Sequence, residues 1–188
     1  MRLQLVTPPD ASSASLLECL VGLLRDPRIN RLVAVTAWVN HRGLSRLVPD
    51  LRLFRARGGA AEIIAGIDEG GATEQGLRLA AAEFDRASIF FTRDDRTFHP
   101  KLYFGAGRER ATLFVGSNNL TPGGLFFNFE AALRVDMERA ATAPAEDREL
   151  YEAVANYINR LYEDTAVCRP LVPHLETIIR DPAYRVRD

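Results

Sequence analysis

The sequence predicts an α/β fold, a central mixed β-sheet flanked by helices on both faces, and three observations predict it. Over residues 12–84 amphipathic helices alternate with short apolar runs. Between residues 88 and 135 four strand-like runs follow one another with no long helix among them, and residues 146–164 form one amphipathic helix. Alternating helices and strands build parallel pairs, consecutive strands build antiparallel ones, and together they make a mixed sheet covered by helices. The chain has 188 residues, 47% of them hydrophobic and 26% charged. A chain of that length buries about 70% of its unfolded surface around one core. That length excludes a tandem multidomain enzyme, and the composition excludes a disordered tail and a fibrous protein. One domain over residues 1–188 is expected, and it is compatible with being the N-terminal part of a longer protein.

Each element has a local cause. Residues 12–25 carry Leu16, Leu20 and Leu23 or Leu24 at helical spacing behind Ser12 or Ser13 as N-cap. Residues 31–39 are β-branched and apolar, the pattern of a buried strand. Residues 44–57 read as a helix broken by Pro49 and ended by Gly58-Gly59. Residues 62–67 repeat the buried-strand pattern and close on Asp68-Glu69-Gly70-Gly71, which reads as a turn rather than a metal-binding pair of acids. Residues 73–84 form an Ala-rich helix. The runs 88–92, 99–104, 111–115 and 127–135 are the consecutive strands. In residues 146–164, Leu150, Val154, Tyr157 or Ile158, and Leu161 make one apolar stripe. A last short helix follows Pro173.

Charge and cysteine usage narrow the function. The 24 basic residues face 25 acidic ones, a net charge of -1, so a whole-domain basic footprint for nucleic acid is absent and only a local patch is possible. Of the 24, 23 are Arg and one is Lys, at position 101. Cys19 and Cys168 lie far apart with no C-x-x-C spacing, which argues against a disulfide framework or a zinc site and fits a reducing compartment. No apolar run approaches the ~20 residues that cross a bilayer, and residues 1–10 lack the pattern of a secretory leader. A cytoplasmic protein with no membrane partner is expected.

The chemistry concentrates between residues 98 and 130. On a strand, His99, Lys101 and Tyr103 share one side, while Phe98, Pro100, Leu102 and Phe104 take the other and belong to the core. The segment 105–110, with two glycines and three charges, suits a hairpin connection. A turn centred near Arg108 places Ser117 about opposite His99, to within a residue or two, with Asn119 just beyond the strand end. On the following strand Glu130 falls on the polar face with Asn128. His99, Lys101, Ser117, Asn119 and Glu130 therefore can converge without a metal. Lys101, Ser117 and Asn119 supply charge and donors for phosphate oxygens. His99 can attack phosphorus or protonate a leaving oxygen, and Glu130 can accept from a histidine Nδ1–H and fix its tautomer. One such set lacks a second histidine, although nucleophile and general acid are both needed.

The order His99-x-Lys101, Gly116-Ser117-x-Asn119, Glu130 resembles the signature of the phospholipase D superfamily. The wider stretch, residues 98–103, 116–125 and 128–130, is similar to the phospholipase D-like nuclease domains of restriction endonucleases and helicase-linked defence proteins. The resemblance implies a phospholipase D-like fold, no cofactor and no metal. It also implies a DNA phosphodiesterase that passes through a covalent phosphohistidine. Members with a single motif are implied to form homodimers whose two motifs meet in one composite site, which would supply the missing histidine. Many members carry an Asp seven residues after the His; here that position is Ala106, a loss that the restriction-type branch tolerates.

Further candidates for substrate binding are Asn118 within the motif, Trp38 and His41 at the end of the strand 31–39, and Arg96, Arg108 and Arg110 flanking the hairpin. Against these, His41 also reads as a plain loop histidine, and Asp94, Asp95 and Glu109 offset the charge of Arg93 and its neighbours. His174 reads as a surface residue, and Phe126, Phe127 and Phe129 as core or dimer interface ahead of base stacking. Two other functions share these residues. One is a catalytically idle module that binds nucleic acid or assembles with a helicase, methyltransferase or ATPase; the other is a hydrolase of phospholipids or other phosphodiesters.

Overall fold

In the computed structural model, which describes residues 1–7, 14–92, 96–184 and 186–187, the elements follow in the order β1 (Arg2–Val6), α1 (Leu16–Arg25), β2 (Arg31–Thr36), α2 (His41–Leu44), α3 (Val48–Ala56), β3 (Ala60–Gly66), α4 (Glu74–Glu83), β4 (Arg86–Phe90), β5 (Lys101–Ala106), β6 (Arg110–Gly116), β7 (Ala132–Glu138), α5 (Ala145–Glu163), β8 (Cys168–Pro170) and α6 (Leu175–Arg180). The strands form one sheet in the order β1-β7-β6-β5-β2-β3-β4-β8. β2, β3 and β4 are parallel, as strands joined through helices must be, and the remaining neighbours are antiparallel.

Strand alternation sends side chains into two cores. On one face Ala34, Ile63 and Tyr103 pack against Leu16, Leu20 and Leu24 of α1, Leu51 and Phe54 of α3, and Leu77 of α4. On the other, Val33, Val35, Leu102, Phe104 and Leu113 pack against Val154 and Ile158 of α5. Each buried Leu or Phe of this kind contributes roughly 1.5–3 kcal/mol of transfer free energy, so helices on both faces are energetically required.

Local chemistry sets the element ends. α1 starts later than its hydrophobic spacing suggests. Ser15 is the N-cap, because Glu18 completes a capping box: Glu18 N–H donates to Ser15 Oγ at 3.2 Å and Ser15 N–H donates to Glu18 Oε2 at 2.7 Å. Ser12 and Ser13 lie outside the described residues, as do Arg93, Asp94 and Asp95. The expected helix 44–57 is two helices, with Pro49 in the first turn of α3 and Gly58 ending it at a φ of 86°.

The largest difference lies at residues 127–135. Gly123–Phe127 is a π-helical turn, and β7 begins only at Ala132. Asn118 Nδ2 donates to the Gly124 carbonyl at 2.7 Å, and this tether curls the chain before it can extend. Phe127 and Phe129 are consequently 76% and 93% exposed, which removes them from the core. β1 and β8 were not foreseen: both are edge strands, and β1 is exposed along most of its length.

Candidate active site

β5 runs antiparallel to β2, with Thr36 beside Lys101, so β5 begins where the parallel strands β2 and β3 end. The loops after β2, β3 and β6 and the segment before β5 therefore meet at one sheet edge, the carboxyl edge where open α/β sheets bind ligands. Lys101, the first residue of β5, is buried. Its Nζ donates to the His99 carbonyl at 2.9 Å and lies 2.8 Å from each ring nitrogen of His99. An imidazole offers at most one acceptor nitrogen, so with the carbonyl it takes no more than two of the three ammonium protons, and at least one is left for a ligand. Burial holds the Lys101 ammonium below the ordinary lysine range, and the nearby Glu130 carboxylate offsets part of that.

His99 itself is exposed, just ahead of β5. It is positioned from behind by Phe98, whose ring stacks on Phe90 at 4.1 Å in the second core and whose N–H donates to Asp68 Oδ2 at 2.8 Å. The Trp38 ring stands edge-on to the imidazole, with centroids 6.3 Å apart and planes at 83°.

Ser117 and Glu130 form a pair. Ser117 Oγ donates to Glu130 Oε2 and accepts the Ala131 N–H at 3.1 Å, while Ser117 N–H donates to the Ala131 carbonyl at 3.0 Å. The hydroxyl proton is thus aimed at Glu130 and not outward, as sequence reasoning had it. Gly116 makes the approach possible, since a Cβ there would sit 2.1 Å from the Ala131 oxygen. Asn119 Oδ1 accepts the Trp38 N–H at 3.1 Å. A main-chain N–H can meet only the oxygen end of the amide, so Nδ2 points the other way, and among the described residues nothing accepts from it.

No family model and no curated protein matches the sequence. Solved structures do match. NucT from Helicobacter pylori is 13% identical, with 90% of this chain and 98% of that one aligned at a TM-score of 0.61. Nuc from Salmonella typhimurium, a phospholipase D family member, is 14% identical over 90% of this chain and 97% of its own, at 0.54. The chain has the phospholipase D fold. Phosphatidylserine synthase from Haemophilus influenzae shares it at a TM-score of 0.60 and 15% identity, over 89% of this chain and 39% of that one.

Within this phospholipase D fold the expected residues divide. Lys101 with His99, Ser117 with Glu130, and Asn119 with Trp38 gather at the carboxyl edge. His41 is exposed at the start of α2, and Arg96 is exposed three residues before His99. The antiparallel register runs Leu102 with Val115 through Ala106 with Ala111, one residue off the expected one, so continuing it sets Lys101 beside Gly116. Glu130 lies before β7 rather than on it.

Two expectations are corrected. Arg108 and Arg110 sit at the turn closing β5 and β6, at the opposite end of the hairpin from His99; at about 3.3 Å per residue the six-residue strand separates them by roughly 20 Å. Arg110 is engaged there by Asp26 and Asp136. The Asn118 side chain is 1% exposed and holds Gly124, so it has no access to substrate. Ala106, where many members of the superfamily carry an Asp, packs in the second core at that same far end, away from the donor set around His99.

Sequence reasoning missed Thr36, Asp68 and the depth of Tyr103. Thr36 Oγ1 donates to the Trp38 carbonyl at 2.9 Å and accepts the Leu120 N–H at 3.2 Å, which joins the two loops under the site. Tyr103 donates to the Asn118 carbonyl at 2.9 Å, and burial pushes its phenol well above the usual range. A buried polar residue at a strand end, as Thr36 is, was the available signal.

Proposed function

We propose that this chain is a metal-independent phosphodiesterase that cleaves DNA. In this reading it works in the cytoplasm as a homodimeric restriction or defence effector, with a helicase, methyltransferase or ATPase as partner. The observation that carries the reading is the Lys101 ammonium set against the His99 ring, with the free Nδ2 of Asn119 on the same edge. A fixed cation and a fixed donor beside an exposed imidazole are suited to a phosphoryl group, whose charge grows on its equatorial oxygens in the transition state. The exposed indole of Trp38 beside His99 supports a nucleic acid over a lipid, because a base can stack there.

His99 attacks phosphorus and a P–N bond forms as the P–O bond to the leaving strand breaks, while His99 of the partner subunit gives that oxygen its proton. The partner's His99, now neutral, takes a proton from water; the hydroxide attacks phosphorus and the P–N bond breaks, which restores both rings. Glu130, held by Ser117, accepts from an imidazole N–H. The pairing is supported by an apolar row, Leu5 beside Leu133 beside Val115, exposed by 62%, 38% and 42% on the α5 face of the sheet, whose Val115 end adjoins Gly116 and Ser117. A second copy would cover it.

The test is cleavage of plasmid and single-stranded DNA in EDTA. Wild type should cut and His99→Ala should not; loss of cutting in EDTA would overturn metal independence. Heterodimers of His99→Ala with wild type should be inactive, and half of full activity or more would overturn the shared site.

A further inference from the structure

We infer that the chain carries a second substrate-contacting surface beside the site, a track for a single nucleic-acid strand formed by Trp38, Arg42, Arg46 and Phe126; the inference rests on the phosphodiesterase reading. Nearly neutral overall, the chain commits several of its guanidinium groups to carboxylates, for example Arg25 to Asp50, Arg52 to Glu83 and Arg55 to Asp85. Arg42 and Arg46 are exposed, and among the described residues neither has an ion-pair partner.

They stand next to the site because α2 is clamped to the loop that bears Asn119. Asn40 N–H donates to the Leu120 carbonyl at 3.3 Å, and Gly43 lies so close to Thr121 that a Cβ would fall 2.6 Å from its Cα. Arg46 lies over the Phe126 ring, 5.8 Å from its centroid, and Trp38 leads on to His99. Along the chain, Trp38 beside the imidazole is followed by the exposed cations Arg42 and Arg46, the second of them lying over the Phe126 ring. Unpaired guanidinium groups neutralise phosphates, and the exposed Trp38 ring, continued by the half-buried Phe126 ring under Arg46, can stack on bases that only a single strand can offer.

Trp38 is the only tryptophan in the chain, so its emission reports on this surface alone. The titration uses His99→Asn, to prevent turnover, with oligodeoxythymidylate, a duplex of equal length and inorganic polyphosphate. The single strand should quench Trp38 and bind at least tenfold tighter than the duplex, and polyphosphate should leave the emission unchanged. Arg42→Ser with Arg46→Ser should weaken the single strand about tenfold and flatten the log K against log salt slope by about 1.4, two phosphates at 0.7 each. Arg160→Ser, an exposed arginine on α5, should do neither. Equal binding of duplex, quenching by polyphosphate, or an unchanged slope in the double variant would overturn the track. Hydrolysis of bis(4-nitrophenyl) phosphate by wild type tests the phosphodiesterase reading separately, because that substrate is too short to reach α2.

Discussion

The side-chain oxygen of Asn119 accepts the main-chain N–H of Trp38 at 3.1 Å, across 81 residues of sequence. That bond decides which end of the amide faces the cleft, and it leaves Nδ2 as a donor fixed before any ligand arrives. Donors that need no rearrangement stabilise a transition state better than mobile ones.

Asn119→Asp keeps the acceptor for Trp38 and turns the outward donor into a carboxylate facing phosphate. DNA cleavage should fall by about 100-fold or more, while Tm moves by no more than about 4 °C, the equivalent of ~1 kcal/mol in a domain of this size. Activity within threefold of wild type would show that the amide faces nothing that reacts.

Lys101→Arg should lose most activity with the fold intact, because a planar fork cannot replace a compact ammonium wedged between the His99 carbonyl and ring. Circular dichroism checks the fold and a cleavage assay the rate. The pH profile gives a second readout. The Lys101 ammonium titrates below its ordinary 10.5, so the alkaline limb of the rate should begin below that value. Glu130 raises the value, so Glu130→Gln should move the limb further down. A limb at or above 10.5 would detach it from Lys101.

Ser117→Ala removes the partner that both steers Glu130 and accepts the Ala131 N–H. Ser117→Ala, Glu130→Gln and the double variant should be non-additive in kcat/KM, with a coupling of about 0.5–3 kcal/mol. Strict additivity would mean that the two act separately.

Gly124→Ala tests the π-helical turn. A Cβ there would lie 2.2 Å from the Asn119 oxygen and 2.4 Å from its nitrogen, both main-chain atoms that cannot swing aside. The cost should be about 1–3 kcal/mol, lowering Tm by roughly 3–10 °C. Activity should fall further than stability alone explains, because Asn119 is what moves. A neutral Tm would contradict the packing.

Much of this was legible beforehand for physical reasons. Period-two alternation identified β5, and the same alternation put His99 and Lys101 together. The turn of the hairpin was placed within one residue, yet a slip of one residue changes which face a side chain takes. Ser117 therefore reaches Glu130 through the loop that follows the strand and not across a ladder. The run ending in Phe127 and Phe129 has the composition of a strand, but one side-chain bond from Asn118 to Gly124 overrides that propensity. Thr36 and Asp68 give no signal in the sequence because each holds a main-chain N–H far along the chain, 84 residues away at Leu120 and 30 at Phe98. Arg108 and Arg110 were misplaced although the strand length already sent the turn to the far edge.

The Ser117 N–H bond to Ala131, the Leu120 N–H bond to Trp38 and the Asn40 N–H bond to Leu120 make the reactive loop a continuation of the sheet. Its amides should then exchange with deuterium as slowly as those of an interior strand, although the Ser117 side chain faces solvent. A loop held in this way needs no rearrangement to present Ser117 and Asn119, so under the phosphodiesterase reading the pace of turnover should be set by strand arrival, bond exchange or departure rather than by movement of this loop.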